Sequence, residues 1–209
     1  MRLPNRLSEG YRAFIETRLP LERSRFERLA AAGQRPDVML IGCCDSRVAP
    51  EVIFDSHPGE IFVVRNVANL VPPYNPSGLT HGVSAALEFA VQILKVGHIV
   101  VMGHSHCGGI RAFNRDRPNK GDFIDNWMSL IAPAADGIGA RGAVGDADYL
   151  GRLERASVVA TLGNLLTFPD IRGRVDAGDL KLLGAYFDIG NGDLAIYDAP
   201  TGRFEPAAQ

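Results

Sequence analysis

The chain has 209 residues, 46% of them hydrophobic and 22% charged, enough for one sizeable core and too few for a second full domain. Lysine and arginine number 22 against 24 aspartates and glutamates, a net charge of -2 with no long basic block. That balance argues against nucleic acid or an anionic membrane and for a small-molecule partner. No apolar stretch of signal-peptide length opens the chain, and no window nears the ~20 apolar residues of a membrane span, so a cytoplasmic protein is expected. In chain order, residues 7–33 fit two short amphipathic helices, with Pro20 in a first helical turn and Gly33-Gln34-Arg35-Pro36 ending the pattern. DVMLIG at 37–42 is a continuous apolar run, the mark of a strand buried on both faces, and EIFVVRN (60–66) and HIVVMGH (98–104) repeat it. Between the last two, residues 77–97 carry Val83, Leu87, Ala90, Val91 and Leu94 at the spacing of a helix face, which makes a right-handed βαβ unit. Helical patterns continue at 107–115, 122–132 and 148–167, and the Gly/Ala-rich stretch 134–147 is the least ordered. LKLLGAYFDI (180–189) and DLAIYD (193–198), split by Gly190-Asn191-Gly192, read as a closing hairpin.

These elements predict an α/β fold: a central, mostly parallel sheet of four strands plus an antiparallel edge strand, flanked by helices. A single domain spans 1–209, with residues 1–36 as an N-terminal helical arm and 37–209 as the α/β core. In open parallel sheets functional groups gather where strands end and the chain turns toward a helix, and GCCDSR and GHSHCGG both sit there. The three cysteines are Cys43, Cys44 and Cys107; the adjacent pair is too constrained to bridge, so reduced thiols or thiolates are expected. If residues 43–47 stay extended, alternation sends Cys43, Asp45 and Arg47 to one side and leaves Cys44 and Ser46 on the other, with Cys44 serving packing. His104 and Cys107, three apart across a turn that opens a helix, can share a pocket, and the helix N-terminus favours a thiolate at Cys107. Cys43, His104 and Cys107 then supply two sulfurs and one imidazole, a set suited to tetrahedral Zn²⁺ with an open fourth position. Each alone would be a small buried hydrophobe or a satisfied core histidine; three together beside a charged pair would be an expensive coincidence. Asp45, held by Arg47, stays off the metal and can accept a hydrogen bond from water there.

Cys43-Cys44-Asp45-Ser46-Arg47 followed by Gly103 to Gly109, with FVVRNVANLVPPY (62–74) between, resembles the β-class carbonic anhydrases. LLTFPDIRGRV and GAYFDIGNGDL extend the likeness to bacterial members, so it covers nearly the full domain. The resemblance implies zinc-dependent, reversible hydration of carbon dioxide to bicarbonate and a proton by attack of zinc-bound hydroxide. It implies one zinc per chain on Cys43, His104 and Cys107, with Asp45 and Arg47 as the catalytic dyad. It also implies a homodimer or homotetramer, to which the amphipathic arm at 7–33 is well placed to contribute. In the family the pocket lies at a dimer interface, and alignment through the motif puts Gln34, Phe62, Val67 and Phe89 around the substrate. The backbone N–H of Gly108, at a helix start, is the oxyanion donor. His57, His81, His98 and His106 have no assigned role, His106 being the one inside the motif.

Competing readings are few. Gly103-His104-Ser105-His106-Cys107 mimics the start of G-x-S-x-G, but the final glycine is missing and nothing else supports a hydrolase triad. The same zinc site could hydrolyse carbonyl sulfide or carbon disulfide, and a non-catalytic zinc or thiol-sensing module would need a fourth protein ligand or a resolving cysteine. A subset of the family resembles a bicarbonate-inhibited switch that needs a Trp, an Arg and a Tyr; here Leu40, Arg65 and Phe187 stand at those positions, so an open site with Asp45 on Arg47 is expected.

Overall fold

The computed structural model describes residues 3–77, 81–113, 121–139 and 146–207. It divides into two compact units, Met1–Arg35 and Pro36–Gln209. In the first unit α1 (Asn5–Ala13) passes through a π-helical segment, Phe14–Arg18, into α2 (Leu19–Ala32), all with helical backbone angles. The two expected helices are therefore continuous. Pro20 lies in the first turn of α2, and the widened π segment before it accommodates the helix bond that proline cannot make. Gly33, with φ 76°, ends α2 in a conformation that favours glycine.

The second unit runs β1 (Val38–Cys43), α3 (Pro50–Ile53), β2 (Ile61–Asn66), α4 (Gly82–Glu88), β3 (His98–His104), α5 (Gly108–Ala112), α6 (Ile124–Met128), α7 (Ala132–Ile138), α8 (Asp146–Leu165), α9 (Pro169–Asp176), β4 (Lys181–Phe187), β5 (Leu194–Asp198) and β6 (Arg203–Pro206). The sheet order is β2-β1-β3-β4-β5-β6, parallel from β2 to β4 and antiparallel beyond. The hairpin of β4 and β5 stands where the sequence puts it, but β6 adds a second antiparallel strand in place of the single one expected. Its short RFEP run carries too little apolar pattern to announce a strand. The expectation that β2 is buried on both faces fails: all six of its residues are only half-buried, because β2 is an edge of the sheet. α3 and α9 were not legible either. Each begins on a proline, which suits a first helical position but also reads as a loop signal. The helix expected over 77–97 resolves into α4 and a π segment, Phe89–Leu94, with residues 78–80 outside the described residues; so are 114 and 115 at the end of the 107–115 pattern, and 140–145 within the Gly/Ala-rich stretch.

Met39, Ile41, Ile99 and Val101 pack one face of the sheet against Leu87, Ala90, Val91, Val158 and Leu165. Burying each of those large aliphatic side chains contributes ~1.5–3 kcal/mol, which fixes the register of β1 on β3. A separate cluster closes over the C-terminal strand ends, joining Cys43, Val48, Ala68, Cys107, Ile110, Met128 and Leu153. Gly42 pairs with Met102, so the ends of β1 and β3 are level and their loops leave side by side.

Candidate metal centre

Cys43 is the last residue of β1 and His104 the last of β3, while Cys107 follows as the residue before α5. The level strand ends bring all three together: one ligand atom from each lies within 4.8 Å of the others, and the two sulfurs are 3.9 Å apart. All three are nearly inaccessible, at 4%, 1% and 2% exposure for Cys43, His104 and Cys107. His104 Nδ1 lies 2.8 Å from the Ser105 carbonyl, which can only accept, so Nδ1 carries the proton and Nε2 the lone pair. Nε2 is buried with no hydrogen-bond partner among the described residues. An inward imidazole lone pair between two sulfurs is the donor chemistry of a Zn²⁺ site with three protein ligands, and the residues fit that ion.

Main-chain amides support the sulfurs. The Cys43 and Cys107 sulfurs share a contact in which either thiol can donate; that contact outweighs the cost of burial and brings the Cys43 thiol down to about 4, with the neighbouring His104 and the amides of Asp45 and Ala68 assisting. The adjacent Cys43 sulfur pushes Cys107 up, and burial adds to this. The amides of Gly109 and Ile110 oppose that rise, so the expected helix N-terminal effect on Cys107 is present but overridden by the second sulfur. Burial pulls His104 down, yet the neighbouring Cys43 sulfur and the Ser105 carbonyl leave it raised. The Ala68 amide is aimed by a strained turn in which Ala68 and Asn69 take φ of 65° and 51°. Asn66 brackets that turn through two bonds to Leu70, and the Trp127 indole donates to the Val67 carbonyl at 2.8 Å.

The alternation expected from 43 to 47 stops at Cys43, after which the chain turns. Arg47 N–H donates to Asp45 Oδ1 at 3.0 Å, closing the turn, while Arg47 Nε and an outer guanidinium nitrogen reach Oδ1 and Oδ2 at 2.9 and 2.7 Å. The turn, rather than a pleat, thus brings Asp45 and Arg47 together. Arg47 holds the Asp45 carboxyl well below the usual carboxylate range, and Asp45 in turn raises Arg47. Arg47 also donates to the His106 carbonyl at 3.1 Å, tying this loop to the β3–α5 loop. Cys44, expected to pack, is exposed.

A profile of the family described as carbonic anhydrase matches residues 38–194. Beta carbonic anhydrase 3 of Arabidopsis thaliana is 35% identical over 92% of this chain and 76% of its own length. The chain belongs to the β-carbonic anhydrases. The carbonic anhydrase is also similar to the solved structure of the β-carbonic anhydrase CcaA, with TM-score 0.88 and 32% identity over 97% of this chain and 98% of that one. A structure described among two tetrameric β-carbonic anhydrases of the ascomycete Sordaria macrospora matches with TM-score 0.75 and 29% identity, over 97% and 95% of the two chains. β-Carbonic anhydrases use zinc, and in this one Cys43, His104 and Cys107 form the group able to hold it.

The remaining residues expected at the site are placed unevenly in this carbonic anhydrase. Val67 lines an apolar groove of about 790 Å³ with Cys44, Phe123 and Trp127, beside the Cys43 strand end. Gly108 is exposed, and no atom lies within 4 Å of where a Cβ would stand. Phe62 pairs in register with Met39, four residues back along β1 from Cys43, and stacks on Phe89 at 5.9 Å. Within one chain those two rings are not brought to the zinc ligands; Phe89 instead borders a separate cavity of about 590 Å³. Gln34 belongs to the N-terminal unit and is exposed just beyond α2. Ser105 is no exposed nucleophile, since its buried hydroxyl accepts from the Ile189 amide at 2.9 Å. Among the unassigned histidines, His98 pairs with Asp37 at 2.8 Å, His81 bonds the Ser77 carbonyl, and His106 is exposed with φ 57°. The sequence missed Glu154, whose carboxylate takes the Cys107 amide at 3.0 Å. It sits mid-helix in a charged run and carries no local sign of burial.

Proposed function

We propose that this β-carbonic anhydrase hydrates carbon dioxide reversibly to bicarbonate and a proton, with one zinc per chain on Cys43, His104 and Cys107. The observation that carries the proposal is the juxtaposition of that buried donor set with an aspartate whose two oxygens are pinned by an arginine. When bound, zinc supplies the Lewis acidity that makes water a nucleophile near neutral pH. Asp45, turned toward Arg47, orients that water: Oδ2 takes a single hydrogen bond from Arg47 and keeps a lone pair for another donor. Arg47 prevents the carboxylate from competing for the metal. The apolar groove beside Val67 suits a linear, nonpolar gas, and the Gly108 amide, at the first turn of α5, is available to a developing oxygen charge.

Gln34, Phe62 and Phe89 complete the substrate slot in an assembly of at least two copies, which accounts for rings stacked away from the zinc ligands of their own chain. The Sordaria relatives described as tetrameric support a homodimer or homotetramer. No helix among the described residues is long and apolar enough to cross a membrane, and the three free cysteines suit a reducing cytoplasm. Metal analysis joined to stopped-flow hydration on one sample tests the reading: one zinc per chain with rapid carbon dioxide turnover is expected. Zinc with turnover of carbonyl sulfide or carbon disulfide alone would replace it.

A further inference from the structure

Glu154 lies in the middle of α8 and is 4% exposed, a degree of burial that a carboxylate reaches only when its oxygens are satisfied. Both are. Oε1 accepts the backbone N–H of Cys107 at 3.0 Å, and Oε2 accepts the Tyr186 hydroxyl at 2.7 Å. Burial and the adjacent carboxylate raise the Tyr186 phenol, so it keeps the proton it donates. The Arg155 guanidinium covers the Tyr186 ring 4.0 Å from its centroid, fixing the ring from the other side. One side chain thus joins the β3–α5 loop to α8 and, through Tyr186, to β4. The rest of that loop is held elsewhere: the Ser105 amide bonds the Phe187 carbonyl, the Ser105 hydroxyl takes the Ile189 amide, and the His106 carbonyl takes Arg47. The amide of Cys107 has Glu154.

An isolated structural role would be served more cheaply by an apolar residue, since replacing buried charge by well-packed hydrophobes is often neutral or stabilising. What an apolar residue cannot do is fix the backbone from which the Cys107 sulfur projects. We infer that Glu154 is a positioning residue for the metal centre: anchored by Tyr186, its carboxylate holds the Cys107 main chain, and with it Sγ, where zinc is to be gripped. Outer partners of this kind govern metal retention because a ligand free to swing leaves the ion more often. The inference rests on the zinc site and not on which gas is the substrate.

The test is zinc release from the loaded holoenzyme into a chromogenic chelator, with cobalt-substituted protein giving the thiolate-to-metal absorption band as a second readout. Wild type is first brought to one zinc per chain; failure at that step sinks the metal assignment itself and is seen before any variant is compared. Glu154→Ala should release zinc at least about tenfold faster and shift the cobalt band, while Glu154→Gln, which keeps an acceptor for the Cys107 amide, should stay within about threefold of wild type. Leu165→Ala, on the same helix and fully buried but remote from Cys107, loosens the core without touching the loop and should also stay within about threefold. If Glu154→Ala does not fold, Glu154→Asp, whose carboxylate is drawn back by one methylene, takes its place with the same expected acceleration. Unchanged release and an unchanged cobalt band in the Glu154 variant would overturn the inference. So would equal acceleration in Leu165→Ala, which would show general loosening.

Discussion

Cys43 and Cys44 are neighbours in sequence and differ in everything that decides metal binding: Cys43 is buried against His104 and Cys107, and Cys44 faces solvent. Cys43→Ser should therefore lose most of its zinc, measured by metal analysis, while Cys44→Ser keeps one zinc per chain. Equal loss in both would remove Cys43 from the ligand set. The pinned Asp45 gives a second prediction. Arg47 lowers its folded pKa below the unfolded value of ~3.9, so the stabilisation from this pair is present above that value and lost as pH falls through the lower folded one. Asp45 is then charged across the whole assay range. Two thiolate ligands would leave a bound zinc able to acidify water only to near or above neutrality, so hydration should climb on the alkaline side with no titration of Asp45. Asp45→Asn should retain zinc, keep the midpoint of the pH profile and lower kcat by roughly a hundredfold. Full activity in that variant would leave Asp45 a structural role only.

At the scale of elements, the site depends on how closely α5 approaches the turn after β2. A Cβ on Gly109 would stand 2.7 Å from Val67 Cγ1 and 3.1 Å from the Ala68 Cβ. Gly109 also aims its amide at the Cys107 sulfur, as Ala68 does at Cys43. Gly109→Ala should push the two segments apart, costing roughly 1–3 kcal/mol in denaturant unfolding and weakening zinc binding as well. Gly108→Ala, with open space around it, should not alter stability by the same mechanism. A Gly109→Ala protein as stable as wild type would mean that the turn gives way freely. That turn is strained at two consecutive non-glycine residues, and the sequence VAN gives no hint of it; the positive φ values are held by Asn66 beside the turn and by Trp127 and Thr161 from distant segments.

For the whole molecule, the question is whether a second arrangement of the site competes with the one observed. Arg65 donates to the Cys43 carbonyl at 2.8 Å and the Asp45 carbonyl at 2.6 Å, so it holds the loop that carries the dyad. Leu40 is buried in β1 and Phe187 ends β4, and neither offers a hydrogen-bond donor to an anion. A bicarbonate lodged there would forgo hydrogen bonds worth roughly 1–3 kcal/mol each and draw Arg65 off two carbonyls. A crystal grown near neutral pH and soaked in bicarbonate should keep Asp45 on Arg47; Asp45 on the metal, or the anion beside Arg65, would refute this. The amino-acid sequence determined the strand runs, the closing hairpin, the donor types and the short His104–Cys107 spacing, because apolar periodicity and side-chain chemistry are local properties. It could not decide that β2 is an edge, that β6 exists, that Phe62 and Phe89 stack away from the zinc ligands of their own chain, or that a helix far along the chain lends Glu154 to Cys107. Those follow from sheet order, register and helix crossing, which the whole core settles at once by burying its apolar faces together, and no short window of residues records that outcome.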